Sequence, residues 1–139
     1  MSLSEAEVRY ESLGLLSMVM RAFALEFLAK LAEQGIPVKI IETWRTVERH
    51  QKLLAEGRSW TANSKHLRTR VRANGVEVPA SDAIDLAPWG IWNLNGPDKL
   101  QWEDHPTWHQ MGEIGEVTGL GWGGRWTKRD LGHWELSDV

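Results

Sequence analysis

The chain has 139 residues, 42% hydrophobic and 25% charged, values that exclude disorder, collagen and a coiled coil and suit one domain over 1–139. Sixteen Lys and Arg against nineteen Asp and Glu give a net charge of −3, too weak a field to make nucleic acid or an anionic membrane the partner. The absence of Cys excludes disulfides, a thiolate nucleophile and cysteine-type zinc sites.

Ser4 and Glu7 fit a capping box, and a helical pattern runs from there to Gln34, with Gly14 as a candidate break into two helices. Leu16, Met20, Phe23, Phe27 and Leu31 recur at helical spacing as one apolar stripe. Segment 13–32 is apolar, but Arg21, Glu26 and Lys30 within it argue against a membrane span. The acidic first residues, with no small-residue cleavage site after them, argue against a secretory signal. The expectation is a soluble protein kept in the cytoplasm until something releases it.

Gly35 and Pro37 stop the helix, and the β-branched run 38–43 reads as a strand. A second helix over 46–56 is closed by Gly57. From 58 to 79 the pattern becomes polar and basic, the chemistry of a long loop and often of a lid. A strand over 83–87 ends at Pro88, 89–98 is turn-rich, and Pro106 opens a helix to Thr118 with Gly119 as its cap. A tight glycine-rich turn surrounds Trp122 over 121–124, and 133–136 is a last short strand. Helices, strands and loops mix without βαβ alternation, so the class is α+β.

Zinc without cysteine takes His nitrogen and carboxylate oxygen. The candidates are His50, His66, His105, His109 and His133, with carboxylates near strand ends. His66 lies in Ser64-Lys65-His66 at the lip of the long loop, and His133 in Asp130-Leu131-Gly132-His133-Trp134-Glu135. Strand alternation places Ala83 and Asp85 on one face and Ile84 on the other. Two imidazoles and one carboxylate leave a fourth tetrahedral position for water, the mark of a catalytic site. Taken singly, each His reads as a surface or core residue and the Asp as a cap; the combination carries the claim.

Ser64-x-His66, Ala83-x-Asp85 and Asp130-x-x-His133-x-Glu135 resemble the landmarks of the zinc D-alanyl-D-alanine carboxypeptidase group. That group includes the vancomycin-resistance dipeptidases and the phage L-alanyl-D-glutamate endopeptidases. Arg45-Thr46-x-Glu48, Leu53 and Gly57-Arg58-Ser59 are similar to the segment before the first ligand, and Gly119 to Trp126 to the approach to the last in the phage branch. The resemblance spans about 38–136. It implies that His66, Asp85 and His133 hold one zinc ion, that Asp130 moves the proton between water and leaving amine, and that Arg45 stabilises the oxyanion.

This sequence departs from the family pattern in three places. Residues 67–80 stand inserted between the first His and the Asp, with Ser81 at a usual Gly position, so Asp82 stays open as an alternative to Asp85. His50 stands where the family has Gln, and Asp130 where the dipeptidase branch has Glu, which favours the phage branch.

Several residues keep two readings. Glu135 either hydrogen-bonds a ligand His or faces outward from the last strand. Lys65, Arg68, Arg70 and Arg72 are either solvated loop or a lid that grips stem-peptide carboxylates. His105 and His109 read as a solvated helix face, and His50 as near the site only through its neighbours. Ser64, Arg68, Trp122 and Trp134 are the candidate substrate contacts.

Nine Trp beside two Phe and one Tyr is unusual, and none precedes Trp44. Most border the motifs (Trp44, Trp60, Trp89, Trp92, Trp122, Trp126 and Trp134), either as rigid walls of a groove or as the core of a small sheet; Trp102 and Trp108 lie away.

The resemblance implies a small antiparallel sheet with helices mainly on one side, like that of the Hedgehog and D-alanyl-D-alanine peptidase domains. It implies a monomeric, zinc-dependent hydrolase of the peptidoglycan stem peptide, foremost an L-alanyl-D-glutamate endopeptidase acting as a phage or prophage endolysin. A D-alanyl-D-alanine carboxypeptidase or dipeptidase, and a zinc-bearing wall-binding module without turnover, are the alternatives.

Overall fold

The computed structural model describes residues 5–59, 61, 63–89 and 105–137. The expectations placed on Ser4, Trp60, Trp92, Trp102 and the turn-rich stretch after Trp89 lie outside the described residues.

Helix α1 spans Met18–Glu33, much shorter than the 4–34 pattern, and a 3-10 turn at Leu13–Leu15 precedes it. The earlier residues are drawn to tertiary partners instead. Tyr10 bridges Trp44, Leu16 bridges Ser81, and Ser17 N–H donates to the Ser81 carbonyl at 2.9 Å. The Ser17 hydroxyl then caps the helix by accepting from Met20 N–H at 3.1 Å. Met20, Ala24, Phe27 and Leu31 form its buried stripe. Gly35, at φ 70°, ends it.

Strand β1 is Val38–Glu42, and α2 is Val47–Ala55 with Thr46 as N-cap. The expected loop at 58–79 is corrected: it holds a 3-10 turn at Lys65–Leu67 and a hairpin of β2, Thr69–Val71, and β3, Glu77–Pro79. Asn74-Gly75 makes the turn. Asn74 Oδ1 accepts from Val76 N–H at 3.0 Å, and Gly75 takes φ 84°, which a residue with a Cβ rarely adopts. Strand β4 is Ala83–Pro88, α3 is Pro106–Thr118 with Gly119 as its left-handed cap, β5 is Gly121–Trp122 and β6 is His133–Glu135.

The main sheet is antiparallel in the order β1-β4-β6-β5. Helices α1 and α3 cover one face, where Met20, Phe27, Leu31, Met111 and Trp108 pack with Ile84, Leu86, Trp122 and Trp134. Two glycines of α3 permit this approach. A Cβ on Gly112 or Gly115 would stand 2.4 Å from the ring of Trp122 or Trp134. Helix α2 instead reaches the opposite face with Arg49 and His50.

Candidate metal centre

The site is a row across the sheet. Asp85 pairs with His133 between β4 and β6, and Glu42 pairs with Asp85 between β1 and β4. Cross-strand partners project from the same face, so these three side chains stand on the side away from Ile84, Leu86 and Trp134. A bulge between Ile40 and Glu42 makes this register. It leaves Ile41 in the core and turns Glu42 to Asp85.

His66 joins the row from the 3-10 turn, where Ser64 Oγ accepts from its N–H at 3.2 Å. His66 Nδ1 donates to the Thr43 carbonyl at 2.9 Å. Thr43, fully buried, is itself held by the N-terminal segment, its hydroxyl donating to the Ser12 carbonyl at 2.8 Å. His133 Nε2 donates to Glu135 Oε1 at 2.8 Å. Each ring thus spends one N–H on a fixed partner, and the remaining nitrogens, His66 Nε2 and His133 Nδ1, both face Asp85 Oδ1 at 3.0 Å.

Ligand atoms of His66, Asp85 and His133 lie within 4.8 Å of one another. Two imidazoles and a carboxylate so converged could hold a divalent ion, and zinc suits this donor set.

Electrostatics binds the group together. Burial alone would raise the Asp85 carboxyl, but the charge and hydrogen bonds of His66 and His133 hold it well below the usual carboxylate range. Burial would lower His133, yet its hydrogen bonds to Asp85 and Glu135 push it up to about 10. Burial is also outweighed at Glu135, where His133 and Lys65 lower the carboxyl; Lys65 Nζ lies 2.8 Å from Glu135 Oε2.

Arg45 is held in the same row. Its Nη2 lies 2.8 Å from Glu42 Oε1 and 3.8 Å from Asp85 Oδ2, and its Nη1 donates to His50 Nδ1 at 3.0 Å. Burial and the Arg45 charge lower the His50 pKa, although its Nε2–H bond to the Thr61 carbonyl opposes them. A neutral ring with an accepting Nδ1 follows. Glu42 is 2% exposed and also takes Arg49 Nε, at 2.6 Å.

Asp130 enters through the tight turn before β6. Its N–H donates to the Gly123 carbonyl at 3.0 Å, and a Cβ on Gly123 would lie 2.5 Å from the Asp130 carbonyl oxygen. Burial, and then the Asp85 charge, raise its carboxyl pKa. Asp130, Arg45, Ser64, His66, His133 and Trp126 line a cleft of about 400 Å³. A larger hollow of about 520 Å³ lies between α1 and α3 near Lys30 and Glu113, apart from this row of side chains.

No protein-family model and no curated protein matches the chain. The crystal structure of the Serratia marcescens L-Ala D-Glu endopeptidase ChiX does match, with a TM-score of 0.65, over 98% of this chain and 96% of that one. The two share a fold. At 20% sequence identity the likeness extends to the α+β architecture.

The structure brings together His66, Asp85, His133, Arg45, Asp130, Ser64 and Glu135. Asp82, the alternative ligand, is engaged elsewhere, with Ser17 Oγ at 2.5 Å and Arg68 Nη1 at 2.8 Å. Arg68 therefore sits on Asp82 rather than in the cleft. Trp122 and Trp134, expected at the substrate, are 3% and 0% exposed in the core; among the described residues the indole beside His133 is Trp126, with ring centroids 5.0 Å apart. Sequence reasoning missed Glu42, Arg49 and the part of His50. The available signal was a carboxylate at the end of a β-branched strand, next to Ile40 and Ile41 and three residues before Arg45.

Proposed function

We propose that the protein is a zinc-dependent peptidase of the peptidoglycan stem peptide, acting as an L-alanyl-D-glutamate endopeptidase. The observation that carries this reading is the convergence of His66 Nε2, His133 Nδ1 and Asp85 on one point beside a cleft walled by Asp130 and Arg45. The shared fold with an endopeptidase named for the L-Ala D-Glu bond supports it.

His66, Asp85 and His133 would hold the ion, and the donor set fits it. The chemistry a zinc ion supplies there is Lewis acidity and a water acidified to a pKa of about 7. Thr43 and Glu135 keep the two rings in the tautomers that leave the inward nitrogens free for a ligand role. Asp130, with its raised pKa, takes the proton of the attacking water and returns it to the leaving amine. Arg45, fixed by Glu42 and His50, offers a preorganised charge to the developing oxyanion.

In this reading residues 1–139 form one catalytic domain that works as a monomer. The protein is a phage or prophage endolysin held in the cytoplasm until it reaches the wall. Digestion of defined muropeptides followed by mass spectrometry tests it: release of peptide beginning at D-Glu supports it, and scission before a terminal D-Ala points to the carboxypeptidase activity instead.

A further inference from the structure

Behind Arg45 lies a second cavity of about 270 Å³ that shares Arg45, Arg58 and Asp130 with the cleft. Arg9 and Arg49 complete its cationic wall, and Glu42 and Asp85 also border it. Arg49 is only 8% exposed, yet it lines this space. Among the described residues its one carboxylate partner is Glu42, through Nε, and the same carboxylate holds Arg45.

Two buried guanidiniums therefore share one buried carboxylate. Arg45 finds further partners in His50 and Asp85, so the surplus positive charge rests on Arg49. Arg9 is exposed at the rim, and Arg58 leans on Glu56 at 3.5 Å. The acidic groups do not cancel this charge: Asp85 serves the two imidazoles, and Asp130 stands at the junction of the two spaces. A buried, incompletely neutralised guanidinium facing a cavity is a receptor for a planar anion, because its N–H fork matches a carboxylate.

We propose that this cavity is a carboxylate subsite, where Arg49, assisted by Arg9, binds a free carboxylate on the carbon that bears the substrate's leaving nitrogen. The inference rests on the peptidase reading and deepens it. A D-glutamyl residue that continues through its γ-carboxyl keeps a free α-carboxylate on that carbon, and a terminal D-alanine offers the same group in the same place. Either would be anchored within reach of Arg45 and Asp130.

The test is calorimetric binding to the metal-free protein, using L-alanyl-γ-D-glutamyl-L-lysine against its α-carboxamide, and D-alanyl-D-alanine against D-alanyl-D-alaninamide. The expected result is an acid preference of about 10- to 100-fold in one pair, as for other charge-assisted hydrogen bonds. Discrimination in the first pair assigns the subsite to a glutamyl carboxylate, and in the second to a chain terminus. Arg49→Met should narrow the preference and Arg49→Lys should restore part of it. Because Arg49→Met also disturbs Glu42, the rim variant Arg9→Gln provides an independent reduction. Equal binding of acid and amide in both pairs overturns the proposal. If the acid preference stands while zinc-loaded protein cleaves no muropeptide, the peptidase reading fails and the subsite survives.

Discussion

Asp85 and His133 are cross-strand partners, and Oδ1 of the carboxylate lies 3.0 Å from Nδ1 of the ring. The candidate metal centre is therefore a product of sheet register. A slip of one residue in β6 would exchange His133 for Trp134 and move the indole out of the core. Replacing Asp85 with Ala is expected to leave the sheet paired and to weaken zinc binding by more than about 100-fold, beyond what the loss of an outer partner costs. Equilibrium dialysis, with circular dichroism to verify the fold, measures this.

Glu135 acts on the same ring from its far side, accepting from Nε2 at 2.8 Å while Lys65 holds its other oxygen. Glu135→Ala should cost about 10- to 100-fold in zinc affinity, the range for such orienting partners. Competition with a chromogenic chelator reads the change directly.

In the metal-free protein the His133 pKa is raised from 6.5 to about 10. The stability it contributes is complete below pH 6.5 and is lost as the pH rises through about 10. Asp85 is depressed below its ordinary 3.8, so its contribution is present above that value and is lost under acid. A zinc ion held by His133 would have to displace its proton, so its affinity should rise with pH, by up to about tenfold per unit across this window. Thermal melts with chelator and with zinc, between about pH 6 and about pH 8.5, should show a gap in Tm that widens with pH; a constant gap would contradict the ion-pair assignment.

Asp130→Asn removes the proposed proton carrier while keeping all three candidate ligands. The variant should bind zinc like the parent and lose about 10²- to 10⁴-fold in kcat. Metal content together with single-turnover hydrolysis separates this from a loss of metal.

Gly115→Ala tests the packing that supports the site. Alanine gains up to about 1 kcal/mol in helix propensity, but its Cβ would stand 2.4 Å from Trp134 Cδ1. Overpacking of this kind costs about 1 to 3 kcal/mol, so urea denaturation should show net destabilisation.

The legible part of this molecule was local. Gly35, Gly119 and Thr46 marked helix ends that the structure keeps, because capping is a matter of a few adjacent residues. The start of α1 was not legible, since Tyr10 and Leu16 pair with Trp44 and Ser81, far away in the chain. The hairpin was hidden because its strands are three residues long and lie at the surface, although Asn74-Gly75 suits its turn. Within the site, the resemblance carried by the Ser64, Ala83 and Asp130 motifs pointed to His66, Asp85 and His133 as a group, with Asp82 open as an alternative. Glu42 needed the bulge in β1, and Arg49 the burial of α2, neither of which a local pattern encodes. The tryptophans followed the same division: Trp122 and Trp134 went to the core through register, leaving Trp126 at the cleft.

The most direct test combines zinc content with hydrolysis of a defined muropeptide before and after chelation. The account predicts one zinc ion per chain, scission at the L-Ala–D-Glu bond, loss of activity with the metal and recovery on zinc addition. Undiminished hydrolysis by the metal-free protein, or a zinc-loaded chain that leaves the stem peptide intact, would contradict it.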